Sequence, residues 1–226
     1  MCFTKVARIL FLFNPSPVMD IHIDHPTLRL GDKHLTINAA IGIAPGAPVC
    51  LTGESGCGKT SLLRAVLGFV EVESGTLEVD GSPITTGNVA AIRRVAAYVP
   101  QEINPPIEWV RDMALLPYSL SASSQARLDE DSLFRIWEDL GLDKSLYTQR
   151  VSELSGGQRA RVALASALSL GKKLILADEP TAALDADSSE RVAGTLSRHC
   201  SERNCTMIVA SHDPVMVRHA LECRLN

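Results

Sequence analysis

Aromatic side chains are scarce in this sequence. Two Trp, three Tyr and five Phe make up 4% of 226 residues, while the wider hydrophobic set reaches 46%. The core must therefore be built mainly from Ala, Val, Leu and Ile, which favours an α/β core over a β-sandwich. Excess positive charge is lacking too. The 22 basic and 26 acidic residues leave a formal charge of -4, so there is no field to neutralise a nucleic-acid backbone, and no nucleic acid is expected as a partner. The six cysteines include no C-x-x-C pair, which argues against a zinc site or a disulfide framework and makes a reducing cytoplasm the expected setting. Long apolar runs are also missing. The stretch Ile9 to Phe13, with Val6 and Ala7 before it, falls far short of the ~20 residues that span a bilayer. Residues 1–18 read as a tail, and Met19, where patterned sequence begins, is a candidate native start.

What is present is a β/α alternation. Apolar positions alternate at Ile21 and Ile23, and again at Leu35, Ile37, Ala39, Ile41 and Ile43, as in strands with one buried face. A turn at Pro45-Gly46 leads to the short apolar strand Val49 to Leu51. Leu62, Leu63, Val66 and Leu67 then recur at helical spacing, with Gly68 as the stop. Thr76 to Val79 enters a hairpin turn at Asp80-Gly81, and Val95 to Val99 reads as another strand. From Glu102 to Leu154 prolines interrupt a helical pattern whose best helix is Leu128 to Leu140, with Trp137 on its core side and Gly141 ending it. The alternation resumes with a helix at 157–170, a strand at 174–177, a helix around 188–199 and a strand at 207–210. No internal repeat is evident, so one unit is expected.

Gly53-Glu54-Ser55-Gly56-Cys57-Gly58-Lys59-Thr60 fits the phosphate-loop pattern and lies between a predicted strand and a predicted helix, as that pattern requires. Its glycines allow backbone N–H groups to wrap an anion at a helix N-terminus. Lys59 is expected to reach the β- and γ-phosphates of a nucleoside triphosphate, and the Thr60 hydroxyl to ligate magnesium. Asp178-Glu179 ends the buried strand Leu174 to Ala177, where open α/β sheets hold ligands. Alone, that pair is equally a solvated strand end. Beside a phosphate loop, Asp178 is expected to help hold magnesium and Glu179 to orient or deprotonate the attacking water. Polar cofactor machinery of this kind also argues against the N-terminal apolar stretch being an export signal. Cys57 stands near Lys59 and a helix start, a setting that makes a thiol reactive, although an inert small residue fits equally well.

Leu154-Ser155-Gly156-Gly157-Gln158 resembles the signature of the ATP-binding cassette (ABC) ATPases, and Ser155 is a natural helix cap there. The resemblance runs from about Met19 to the end. Gln101 falls where that family keeps a glutamine that contacts magnesium and links two lobes. Thr181-Ala182-Ala183-Leu184-Asp185 resembles its D-loop, and His212 in Ser211-His212-Asp213 its switch histidine. The resemblance implies an α/β fold: a phosphate-loop core with a mostly parallel sheet (19–101 and 161–226), an N-terminal antiparallel β layer and a small inserted helical subdomain (102–160). It implies ATP and Mg2+ as cofactors and ATP hydrolysis assisted by Glu179, His212 and Gln101. It also implies a composite site in which Ser155, Gly156, Gly157, Gln158 and Asp185 of a second cassette, expected to be another copy, close over the ATP.

In function, the resemblance implies a subunit powering a membrane ABC transporter, peripheral on the inner face of the cell membrane, with a separate transmembrane permease. Its compact size is similar to exporter-type subunits, and a soluble ABC ATPase such as an iron–sulfur assembly factor is the alternative. Ile107, Trp109, Val110 and Met113 are candidates for the permease contact or, equally, for local core packing. Two positions depart from the family. Leu28-Arg29-Leu30 lacks the aromatic that stacks on adenine, leaving Arg29 or His25 as substitutes, and Ser166 replaces a frequent Arg.

Overall fold

The computed structural model describes residues 19–104, 106–119, 128–182 and 184–225. Strand β1 (Ile21–Leu30) is the spine of an antiparallel sheet that also holds β2 (Lys33–Thr36), β3 (Ala40–Ile43), β5 (Glu71–Val79) and β6 (Ser82–Pro83). The single strand expected at 35–43 is in fact two. β2 pairs with Thr27–Leu30 and β3 with Ile21–Asp24. The break sits opposite Pro26, which has no N–H to give a ladder, and beside His25, whose φ is +44°. There the His25 N–H reaches the Ala39 carbonyl (2.9 Å) and the Ile37 N–H reaches that of Pro26 (2.9 Å).

The second sheet is parallel, in the order β10 (Leu221–Arg224), β4 (Pro48–Thr52), β9 (Thr206–Ala210), β8 (Leu174–Asp178), β7 (Ala96–Val99). Its three central strands are buried throughout, which is why they read as unbroken apolar runs and not as alternation. Successive side chains serve opposite layers. Val49, Leu51, Leu174, Leu176, Ile208 and Ala210 pack with helix α1 (Lys59–Val66) and the antiparallel sheet. Cys50, Ile175, Ala177, Met207 and Val209 pack with α5 (Gly156–Ser169) and α6 (Ala186–Arg203). The short helices α2 (Val89–Val95) and α7 (Pro214–Arg218) and the strand β10 had no sequence expectation, each being too short to show a period.

Helices α3 (Val110–Ser119) and α4 (Glu130–Asp139) pack on α5. Asp129 caps α4 by accepting from the Ser132 N–H (3.3 Å). Trp137 is fully buried, edge-on to Phe134 (5.8 Å) and Tyr147 (5.7 Å), so it is core. Ser166 gains a structural role: its buried hydroxyl donates to the Ala114 carbonyl of α3. Val110 and Met113 are also buried in this cluster, which decides for core packing over a contact surface at these two positions; Ile107 and Trp109 are half-buried. No helix among the described residues is long and apolar enough to cross a membrane. Trp137→Ala should cost about 3–5 kcal/mol in urea unfolding, since it empties the centre of the aromatic cluster; a loss below about 1 kcal/mol would contradict this packing.

Candidate functional site

The phosphate loop spans the gap between β4 and α1 under tight steric limits. At Gly58 (φ +105°) a Cβ would lie 2.6 Å from Ile37 Cδ1 and 2.7 Å from Leu35 Cδ2. At Gly53 (φ +140°) it would lie 2.5 Å from the Leu225 carbonyl oxygen. Only glycine fits either place, so the antiparallel layer and the end of β10 together shape the loop. No side chain caps α1, which leaves its first N–H groups available to an anion. The Lys59 ammonium folds across the loop and donates to the carbonyls of Gly53 (2.9 Å) and Glu54 (3.2 Å). Glu54, Ser55 and Gly56 are exposed; Cys57 is half-buried, with its Sγ 3.9 Å from Lys59 Nζ.

One side chain ties this loop to the parallel sheet. The Thr60 hydroxyl donates to Asp178 Oδ1 (3.0 Å) at the end of β8. Asp178 is only 2% exposed, and burial pushes its carboxyl above the usual range, with Glu179 adding to the rise and the Thr60 bond opposing it. A hydroxyl beside a carboxylate is an oxygen pair suited to a hard divalent cation whose other ligands come from phosphate and water, so these residues fit magnesium. Tyr98 places its hydroxyl 3.5 Å from Asp178 Oδ2. Sequence reasoning missed it, because the contact depends on the β7–β8 register that sets Tyr98 opposite Leu176.

Glu179 has φ +49°, a left-handed conformation that costs a non-glycine residue about 1–3 kcal/mol. Its N–H holds that turn by donating to the Ala210 carbonyl (2.8 Å). The turn aims Oε1 at His212 Nδ1 (3.0 Å), while Oε2 is buried without a hydrogen-bond partner among the described residues. A buried acceptor of this kind is prepared to take a donor such as water. Gln101 is exposed and lines a cleft of about 140 Å³ with Glu179, Gly156 and Arg159, so it is brought beside Glu179 and not into the Thr60–Asp178 pair.

Ser155 caps α5: its hydroxyl accepts from the Gln158 N–H (3.1 Å) and the Gln158 side chain accepts from the Ser155 N–H (2.8 Å), a reciprocal box. Gly156 is open to solvent, whereas Gly157 is buried. Among the described residues no hydrogen bond joins Ser155–Gln158 to the phosphate loop of the same chain. Asp185 caps α6, accepting from the Ser188 N–H (2.8 Å), a bond that holds its carboxyl below the usual range; Ala183 lies outside the described residues. Arg29 is paired with Glu71 (2.6 Å) and His25 with Asp24 (2.6 Å), and Leu28 is fully buried, so both proposed adenine substitutes are engaged by carboxylates.

Asp178 also sets a pH dependence. Because its folded-state carboxyl titrates above its unfolded value, it favours folding below the ordinary aspartate range, and that advantage is lost as pH rises through the raised value. Asp178→Asn keeps an acceptor for Thr60 and has no proton to lose. In magnesium-free buffer it should melt higher than the parent chain at pH 7, with the gap closing toward about pH 4. A variant less stable than the parent at pH 7 would contradict this account.

The ABC transporter family matches residues 37–182 of the chain. An Fe(3+) ions import ATP-binding protein of Rhodococcus jostii is 32% identical over 205 residues, 85% of this chain and 55% of that protein. The lipoprotein-releasing system ATP-binding protein LolD of Hyphomonas neptunium is 34% identical over 185 residues, 78% of this chain and 79% of that protein. The chain thus spans about half the length of its iron-import relatives and most of the lipoprotein-releasing one. The solved structure of a dimeric bacterial ABC transporter cassette superposes with a TM-score of 0.72 at 24% identity, covering 90% of this chain and 94% of that one. Phosphate loop, capped helix and strand-end carboxylates follow one another along the matched chain, which belongs to the ABC transporter family as one of its nucleotide-binding cassettes.

Proposed function

We propose that this chain binds and hydrolyses ATP as the subunit that powers a membrane transporter. The observation that carries this reading is the placing of two side-chain pairs side by side: Thr60 of the loop on Asp178, and at the next residue the strained Glu179 on His212. Loop amides and Lys59 hold the β- and γ-phosphates. Glu179 accepts the proton of a water as its oxygen attacks the γ-phosphorus, and the bond to the β–γ bridging oxygen breaks, releasing phosphate and ADP. His212 orients Glu179 and the γ-phosphate. Magnesium would be held by Thr60 and Asp178, with Gln101 joining on closure, and would neutralise charge on the phosphate oxygens.

The signature residues Ser155, Gly156, Gly157 and Gln158, with Asp185, serve the site of a second copy; in their own chain no hydrogen bond among the described residues ties them to the loop. The core (19–101 and 161–226) and the helical part (102–160) act as two lobes, with Gln101 at their joint. ATP closes the pair, hydrolysis opens it, and the work comes from unequal affinity for ATP and ADP in the two states.

A separate permease would dock on the cytoplasmic side of the membrane, in an apolar groove of about 600 Å³ lined by Phe69, Ile103, Leu116 and Pro117. Phe69 there is 63% exposed, an unusual setting for so large an apolar side chain. The relatives named for iron import and lipoprotein release favour transport over a soluble assembly role.

Phosphate-release assays should find Glu179→Gln slowed roughly 10²–10⁴-fold with nucleotide binding intact; near-parental turnover would remove Glu179 as the base. Lys59→Ala should lose measurable binding of labelled ATP, and retention of parental affinity would contradict the role given to the ammonium group.

A further inference from the structure

Ahead of the signature helix, two distant segments are clasped together. Trp109 and Arg150 form an isolated antiparallel bridge. The Val110 N–H donates to the Gln149 carbonyl (3.0 Å), and the Val151 N–H donates to that of Glu108 (2.8 Å). Over this bridge the Arg150 guanidinium ion-pairs with Glu108 (2.9 Å) and lies 5.3 Å from the centroid of the Trp109 ring. From Arg150 the order runs on without a gap. Its N–H donates to the Glu153 carboxylate (2.9 Å), the Leu154 N–H donates to the Val151 carbonyl (3.2 Å), and Ser155 then caps α5. Val151 and Leu154 are buried, which anchors this short rod against the core. At its other end the chain leads back through Ile103 and Asn104 to Gln101, along both the cleft beside Glu179 and the apolar groove.

We propose that Arg150, held by Trp109 and Glu108, is a positioning residue that sets where the Ser155 end of α5 is presented to the partner copy. Its partners are Glu108, Trp109 and Glu153, none of them in the phosphate loop. It acts by keeping segments 108–110 and 149–155 moving as one piece, so that whatever displaces residues 102–108 also displaces the Ser155 cap. This rests on the composite site proposed above. It goes beyond that reading by assigning a function to residues that lie outside every motif.

The test uses the full chain and separates loading of the phosphate loop from closure. Arg150→Ala and Trp109→Ala should bind labelled ATP as single chains within about twofold of the parent, because the loop is untouched. Their kcat should fall at least about fivefold with little change in KM, the split expected when an interaction made only in the closed state is removed. Arg150→Lys keeps charge without the planar face and should fall between. Exchange of the pair, Glu108→Arg with Arg150→Glu, should recover much of the kcat lost by Arg150→Glu alone. Parental kcat in both alanine variants would overturn the proposal, as would a loss of kcat matched by an equal loss of ATP affinity that the exchange does not recover. If the parent chain itself binds ATP but fails to hydrolyse it at any protein concentration, the proposed function fails instead.

Discussion

The hydrogen bond from Thr60 to Asp178 makes one site out of two stretches 118 residues apart in sequence. It joins the first turn of α1 to the end of β8, and each partner is fixed independently. Thr60 follows a loop in which Gly53 and Gly58 leave no room for a Cβ, and Asp178 ends a strand with no exposed residue. Burying an acidic group there is costly, and its raised pKa records that cost. The structure accepts the cost because a cation and phosphates bound at this joint would convert a buried charge from a liability into a ligand. Glu179 carries a second cost, in its backbone, and gains from it an aim toward His212 that ordinary strand geometry would not give.

Packing divides the molecule along the parallel sheet. One hydrophobic cluster lies between that sheet, α1 and the antiparallel layer and supports the phosphate loop; the other runs through α5 and α6 into α3 and α4. The signature cap sits at the far end of the second cluster, so phosphate loop and cap rest on opposite layers of one sheet. A rotation of the helical part would move the cap without unseating the loop, which suits a site assembled between two chains.

Much of this was legible from residues alone, for physical reasons. Parallel central strands are apolar on both faces, so Val49–Leu51, Leu174–Ala177 and Met207–Ala210 stood out, and a glycine-rich string between strand and helix has few other uses. Ser155 was readable as a cap because caps act within three residues, whereas the capping role of Asp185 emerged only with the structure. What escaped depends on distant partners. The split of β2 from β3 follows from Pro26 on a neighbouring strand, β10 is defined by its pairing to β4, and Tyr98 meets Asp178 only across the sheet. The Arg150 clasp joins segments some forty residues apart and has no local signal at all. Val110 and Met113 stayed open between contact and core because an apolar residue at the start of a helix has the same sequence signature whether it faces a partner or the core.

The central claim is that the anion seat of one chain is completed by the capped helix of another. Sedimentation of Glu179→Gln, which should hold ATP without spending it, tests this most directly. With magnesium and ATP the 24.4 kDa chain should double in mass, and adding Ser155→Arg should return it to a monomer that still binds labelled ATP. A chain that stays monomeric while saturated with ATP, or a dimer indifferent to Ser155→Arg, would contradict the account.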